Sequence, residues 1–410
     1  MTNYESVRIG DLGKIVTGKT PKTEDPDNFG DDCMFIGPTD LHKHFFISNS
    51  ERMISTKGLE SIQSSVLNGV SILVGCIGWD MGNVGIVNGR CTTNQQINSI
   101  TNIHEKYNPL YIYYWLKTKK DFLYQQASVT RTPILNKTDF SNIRINLPKE
   151  KKYQDRVVCL LAAIDKKIEL NNRINAEFEA MAKTLYDYWF VQFDFPDANG
   201  KPYKTSGGKI VYNSALKRKI PEGWSDASLV DIATFTNGIA CQKYYPNGDE
   251  PTYKVIKIRE FSSGFDDSSE SVHQSVPKKV VVNDGDILFS WSATLEVKLW
   301  SGGVGVLNQH IFKVTSDNYP TTFFYFETLK YLEYFKMVAA LRKTTMGHIT
   351  KEHLVASRIA VPPKDIIQNM DIKLSPIIKK MVANHQQNIE LEKLRDWLLP
   401  MLMNGQVTVA

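Results

Sequence analysis

The chain has 410 residues, 42% hydrophobic and 23% charged, with a formal net charge of +5. Those values exclude a disordered or fibrous chain and point to two or three globular domains. The modest basic balance permits a polyanionic partner without demanding one. No signal-like apolar core opens the sequence, and its longest apolar run, Val157 to Ile164, is too short to span a bilayer. Five scattered cysteines (Cys33, Cys76, Cys91, Cys159, Cys241) include no C-x-x-C. They read as reduced thiols of a cytoplasmic protein with no metal site.

In chain order, residues 1–148 alternate short β-rich runs (Val70–Cys76, Gly82–Val87) with Gly, Asn and Asp turns, and predict a first mixed α/β globular domain. One helix interrupts it, Pro109–Gln126, with Asn108 as its cap and Pro109 in first position. Residues 149–192 follow as a long helix, since no Pro or Gly occurs from Gln154 to Phe190. Its seam runs Val157, Leu161, Ile164, Ile168, Asn171, Asn175, Phe178, Ala182, Leu185, Trp189. Residues 193–223 hold Pro196, Gly200, Pro202, Gly207, Gly208, Pro221 and Gly223, a density of breakers that predicts a linker without helix or strand. A second domain over 224–363 has β-rich runs at Lys278–Val282 and Asp286–Trp291 and a helix at Thr321–Leu341. The final helix, 364–406, carries the seam Met370, Leu374, Ile377, Met381, Asn384, Asn388, Leu391, Arg395, Leu398, Leu402, with Pro376 weakening or bending its first turns.

The two halves are one unit written twice. Asn94-Gln95-Gln96-Ile97 matches Asn308-Gln309-His310-Ile311, and Lys137…Phe140…Arg144-Ile145 matches Lys351…Leu354…Arg358-Ile359. Both seams break at two asparagines, Asn171/Asn175 and Asn384/Asn388. A buried Asn is costly unless it meets another polar group, and it then fixes register. An antiparallel coiled coil sets Asn171 opposite Asn388 and Asn175 opposite Asn384; a parallel one also matches Asn with Asn. The antiparallel, pseudo-twofold pair is preferred. An overlap of about 32 residues makes about 48 Å of rod, roughly one and a half turns of DNA.

Gly13 to Thr20 fits the phosphate-loop pattern G-x₄-G-K-T, but Pro21 and Pro26 follow where a helix would have to begin. Asn108-Pro109-Leu110-Tyr111 lacks the second proline of an amino-methyltransferase loop, and Pro196-Asp197…Lys201 falls among breakers rather than on a nuclease strand. Duplication with no catalytic signature points to recognition. The candidate DNA contacts are Lys19, Lys22, Lys43, Trp79, Arg90, Thr92, Asn94, Gln95, Arg131 and Lys137 in the first half. Those of the second are Lys243, Arg259, Trp291, Lys298, Asn308, Gln309, Arg342, Lys343 and Lys351. Surface charge or backbone satisfaction is the competing role for each.

The whole chain resembles the specificity subunits of type I restriction–modification systems. The resemblance is strongest at Trp189-Phe190-Val191…Phe195-Pro196…Gly200-Lys201-Pro202-Tyr203 with Ile220-Pro221-Glu222-Gly223-Trp224, and it extends to Thr17–Pro21 and Asn94–Gln96; the second half departs at Asn237-Gly238-Ile239-Ala240. It implies a non-catalytic subunit whose two target-recognition domains each read half of a split double-stranded DNA target. It further implies two methyltransferase subunits and added restriction–translocase subunits as partners. No cofactor would then belong to this chain: S-adenosylmethionine, ATP and magnesium would sit on those partners, and the methylated base would be an adenine flipped out by the methyltransferase. The rival readings are a fused DNA methyltransferase and a coiled-coil scaffold that ignores DNA.

Overall fold

The computed structural model describes residues 3–41, 45–78, 80–128, 132–248, 250–292, 294–341, 348–407 and 409. The chain divides into two compact units, residues 1–170 with 390–410, and residues 171–389. This partition differs from a simple succession of segments. The central helix (Lys151–Phe190) and the C-terminal helix (Lys364–Met403) each contribute one part to each unit.

The first unit is built on an antiparallel sheet in the order Lys14–Thr17, Ile97–Thr101, Val70–Gly75, Val84–Asn88. Its middle strands are covered on both faces, so Val70–Gly75 reads as an apolar run rather than an alternation. Ser71 Oγ donates to Thr101 Oγ1 at 2.9 Å and Asn98 Nδ2 to the Leu135 carbonyl at 3.3 Å, whereas buried Ser99 Oγ has no partner among the described residues. A second sheet sets Phe29–Ile36 between Arg52–Ile54 and, in parallel, Cys91–Thr93. The helix at Pro109–Lys117 begins where predicted, with Asn108 Oδ1 accepting from the amides of Leu110 and Tyr111. It stops at Lys117, and a separate short helix, Lys120–Gln125, replaces the expected continuation. Tyr111, Tyr114 and Leu116 are fully buried against Val157 and Leu161 of the central helix and Leu402 of the C-terminal helix. The apolar Leu116 side chain contributes about 1.5–3 kcal/mol by leaving water.

Burial pushes the Cys76 and Cys91 thiols up to about 12 from an ordinary 9.0. A thiol kept protonated in the fold ionises near 9.0 once the chain unfolds. Its contribution is therefore complete below that pH and is lost as the pH climbs toward 12, by about 1.4 kcal/mol per unit and per thiol. The denaturation midpoint is expected to fall from pH 8 to pH 10, and Cys91→Ala to flatten that slope. An unchanged slope in the variant would refute the thiol's part.

The second unit repeats the plan. Its main sheet runs Thr234–Asn237, Ile311–Thr315, Ile287–Ser290, Glu296–Leu299, all antiparallel. Its smaller sheet runs Ser271–His273, Thr252–Ile256, Gly305–Leu307, Val281–Val282, again with a parallel pair, Thr252–Ile256 on Gly305–Leu307. The helix Thr321–Leu341 has the predicted bounds and buries Phe323, Phe326 and Phe335. The C-terminal helix runs through Pro376 as one element.

Residues 193–223 correct the expectation of a linker without structure. A hairpin pairs Ile210–Asn213 with Arg218–Pro221. Phe193 and Phe195 are buried, with ring centroids 5.3 and 5.4 Å from Trp224. The Asp194 carboxylate accepts from the Thr205 amide and hydroxyl, at 2.8 and 2.7 Å, which holds it below its usual value. Glycines and prolines here shape the turns of a folded segment, while the aromatics between them anchor it.

Candidate nucleic-acid interface

The seam asparagines face each other in the antiparallel order. Asn171 Nδ2 donates to Asn388 Oδ1 at 2.8 Å, and Asn384 Nδ2 to Asn175 Oδ1 at 2.9 Å. All four are at least 95% buried. Asn388 also donates to Asn172 Oδ1, and Asn175 to the Met381 carbonyl. In the first unit the polar seam residue Arg395 meets Asp165, Nη1 to Oδ1 at 2.9 Å, and Tyr114 donates to the other carboxylate oxygen at 2.7 Å. Burial first, then the Asp165 charge and this hydrogen bond, push the Tyr114 phenol well above its usual value.

Each unit carries one loop frame, closed by equivalent hydrogen bonds. In the first unit the Gly18 amide donates to Ile97 O (3.0 Å), Asn94 to Ile36 O (3.1 Å), Cys76 to Gln96 O (2.8 Å) and Leu135 to Cys76 O (2.8 Å). In the second, Gly238 donates to Ile311 O (3.1 Å), Asn308 to Ile256 O (3.0 Å), Trp291 to His310 O (3.4 Å) and Ile349 to Trp291 O (3.0 Å). The glycines are obligatory here. A Cβ at Gly18 would lie 2.0 Å from the Asn94 carbonyl oxygen, and one at Gly238 2.1 Å from that of Asn308. Gly13 is excluded from carrying a side chain by a separate contact, 2.6 Å to the Thr101 carbonyl oxygen, so close approaches at the two ends of the strand Lys14–Thr17 give the glycine spacing that mimics a phosphate loop.

The frame gathers part of the predicted set. Lys19 and Gln95 are exposed beside each other's loops; Thr20 Oγ1 donates to Gln95 Oε1 at 2.5 Å, and Lys19 Nζ to Ser64 Oγ at 3.0 Å. Lys22 is exposed just beyond buried Pro21. Trp291 is half-buried, its Nε1 donating to Asn237 Oδ1 at 3.1 Å and its ring stacked on Phe312 at 5.6 Å. Gln309 is exposed, its amide nitrogen 3.4 Å from His310 Nε2. Lys137 and Lys351 are exposed at equivalent places, first in the short helices Lys137–Asn142 and Lys351–Ala356.

Other candidates are placed differently. Thr92 is fully buried in a strand and presents nothing to a ligand. Asn308 is 9% exposed, and the Asn94 side chain closes its own turn on Gln96. Arg90 is exposed, but four residues of extended chain separate it from Asn94, about 13 Å. Arg259 is tied to Glu260, Asp266 and Ser268. Lys298 lies over the Phe261 ring at 4.6 Å, in a cleft shared with His385, where burial lowers its ammonium's pKa. Lys243 is exposed on the turn Cys241–Tyr244. Lys43, Trp79, Arg131, Arg342 and Lys343 lie outside the described residues. Sequence reasoning did not select Asn237, Gln96 or His310, although the repeated Asn-Gln tetrads were the signal that could have found the last two.

The model of the type I restriction modification DNA specificity domain matches residues 1–180 and 221–393. The chain belongs to this family. The Type I restriction enzyme MjaIX specificity subunit of Methanocaldococcus jannaschii is 25% identical over 428 residues, covering 99% of this chain and 94% of that protein. The HindI specificity subunit of Haemophilus influenzae is 23% identical over 323 residues, 65% of this chain and 70% of its own. The crystal structure of a type I restriction–modification S subunit from M. genitalium shares the fold, with a TM-score of 0.57, 14% identity, and coverage of 98% and 96%. Like that family at large, this chain is a type I restriction–modification specificity subunit with paired recognition domains. Among the described residues no helix is long and apolar enough to cross a membrane.

Proposed function

We propose that the chain acts in the cytoplasm as the non-catalytic DNA reader of its complex, each unit reading one half of a two-part double-stranded target. The observation that carries this reading is the loop frame, built twice on the same backbone hydrogen bonds but furnished with different side chains. A duplicated scaffold with unlike contact residues suits two unlike half-sites. The paired helices set the spacer between the halves. Two methyltransferase subunits dock on the chain, restriction–translocase subunits join them, and those partners hold S-adenosylmethionine, ATP and magnesium. Lys19, Lys22, Lys137, Lys243 and Lys351 serve as phosphate contacts that position rather than specify.

Sequencing of methylated adenines in DNA exposed to the assembled complex tests this, and a two-part motif with a fixed unspecified gap is expected. Deleting one heptad from each long helix is expected to shorten that gap by about three base pairs, since seven residues span about 10.5 Å of helix and a base pair about 3.4 Å. A continuous motif, or altered letters in the halves of the heptad variant, would overturn the reading.

A further inference from the structure

The two loop frames coincide in their backbone hydrogen bonds, so the positions at which their side chains diverge stand out. Trp291 replaces Cys76: both amides donate to the tetrad's third residue, and both carbonyls accept from the segment before the short helix. That third residue is Gln96 in the first unit and His310 in the second. The residue before the obligatory glycine is Thr17 in one and Asn237 in the other.

These differences are coupled within each unit. In the first, Cys76 is buried, Thr17 Oγ1 turns to Asn98 Oδ1 at 2.7 Å, and Gln96 Oε1 accepts from Asn94 Nδ2 at 3.1 Å. In the second, the Trp291 ring lies 5.9 Å from His310 and 6.4 Å from His348, and its indole N–H holds exposed Asn237. His310 Nδ1 is buried with no hydrogen-bond partner among the described residues. The Trp291 ring, itself stacked on Phe312, thus packs at a tilt of 48° against an imidazole at the place where the first unit offers a primary amide.

We infer that Gln96 and His310 occupy one and the same specificity position in the two units, the Trp291 ring packing beside His310 and its Nε2, rather than the buried Nδ1, facing the base. The inference rests on the two-half DNA reading above. A carboxamide offers donor and acceptor together and suits the adenine edge, whereas each imidazole nitrogen offers one or the other, so exchanging them changes the base preferred. The expected discrimination is about tenfold or more at that one letter.

The test maps adenine methylation by the complete complex carrying His310→Gln, and separately Gln96→His. Methylation of parental sites is expected to fall about tenfold or more, with changed letters confined to one half for His310→Gln and to the other for Gln96→His. His310→Asn, smaller than the parent ring, covers the case in which glutamine disturbs the packing against Trp291. The assignment is overturned if the substituted chains keep the parental motif, if both alter the same half, or if methylation falls equally at all sequences. A parental motif with no gap would instead defeat the two-half reading itself.

Discussion

Replacing Arg395 with alanine is expected to destabilise the first unit by about 3–5 kcal/mol, the cost of leaving one member of a buried ion pair without its partner. The Asp165 side chain is only 5% exposed and that of Arg395 18%, so water replaces little of what the guanidinium supplies. After the substitution, the carboxylate keeps the Tyr114 proton alone. Removing the charge as well, in Asp165→Leu with Arg395→Leu, is expected to recover most of the loss. The remainder, about 1–3 kcal/mol, comes from the Tyr114 hydroxyl stranded without an acceptor, and adding Tyr114→Phe should remove it. Denaturant unfolding of the four chains measures this series. A single variant within about 1 kcal/mol of the parent would show that the pair lies in an environment as screened as a surface salt bridge.

Arg395 also shows how far a seam can be read from sequence. The four-and-three spacing placed it on the buried stripe, but nothing in the spacing named Asp165, which lies on the other helix, or Tyr114, which comes from the globular part of the unit. The asparagines were legible because both members of each pair sit in seams of matching phase. Other features were hidden for physical reasons. Thr92 resembles a surface contact in sequence, yet its strand is covered on both faces, where polar and apolar residues no longer alternate. Lys298 and Arg259 carry the right charge, but the first is drawn over Phe261 and the second is held by neighbouring acids. The segment 193–223 reads as a linker because breakers outnumber its aromatics, whereas Phe193 and Phe195 packed on Trp224, the hairpin and the Asp194–Thr205 bonds hold it. Parallel pairing of Phe29–Ile36 with Cys91–Thr93 joins strands far apart in the chain, and no local pattern encodes it.

The asparagine ladder gives the other large effect, with a contrast that separates register from stability. Asn388→Leu removes the acceptor of Asn171 Nδ2 and the donor to Asn172 Oδ1. Asn172 is exposed and recovers its partner from water, but Asn171 is 1% exposed. Its Nδ2 keeps Gln387 Oε1 at 2.9 Å, while its Oδ1 already has no partner among the described residues. The single substitution is therefore expected to cost about 2 kcal/mol, the sum of one lost hydrogen bond and a poorly satisfied buried amide. Asn171→Leu with Asn388→Leu replaces the whole polar contact by an apolar one, and is expected to return to within about 1 kcal/mol of the parent. A double-mutant cycle on unfolding free energies measures the coupling. Strict additivity would mean that the two amides do not depend on each other. If the double variant recovers stability but the complex then methylates with a blurred gap, the ladder's role is to hold one register where an all-apolar seam admits several.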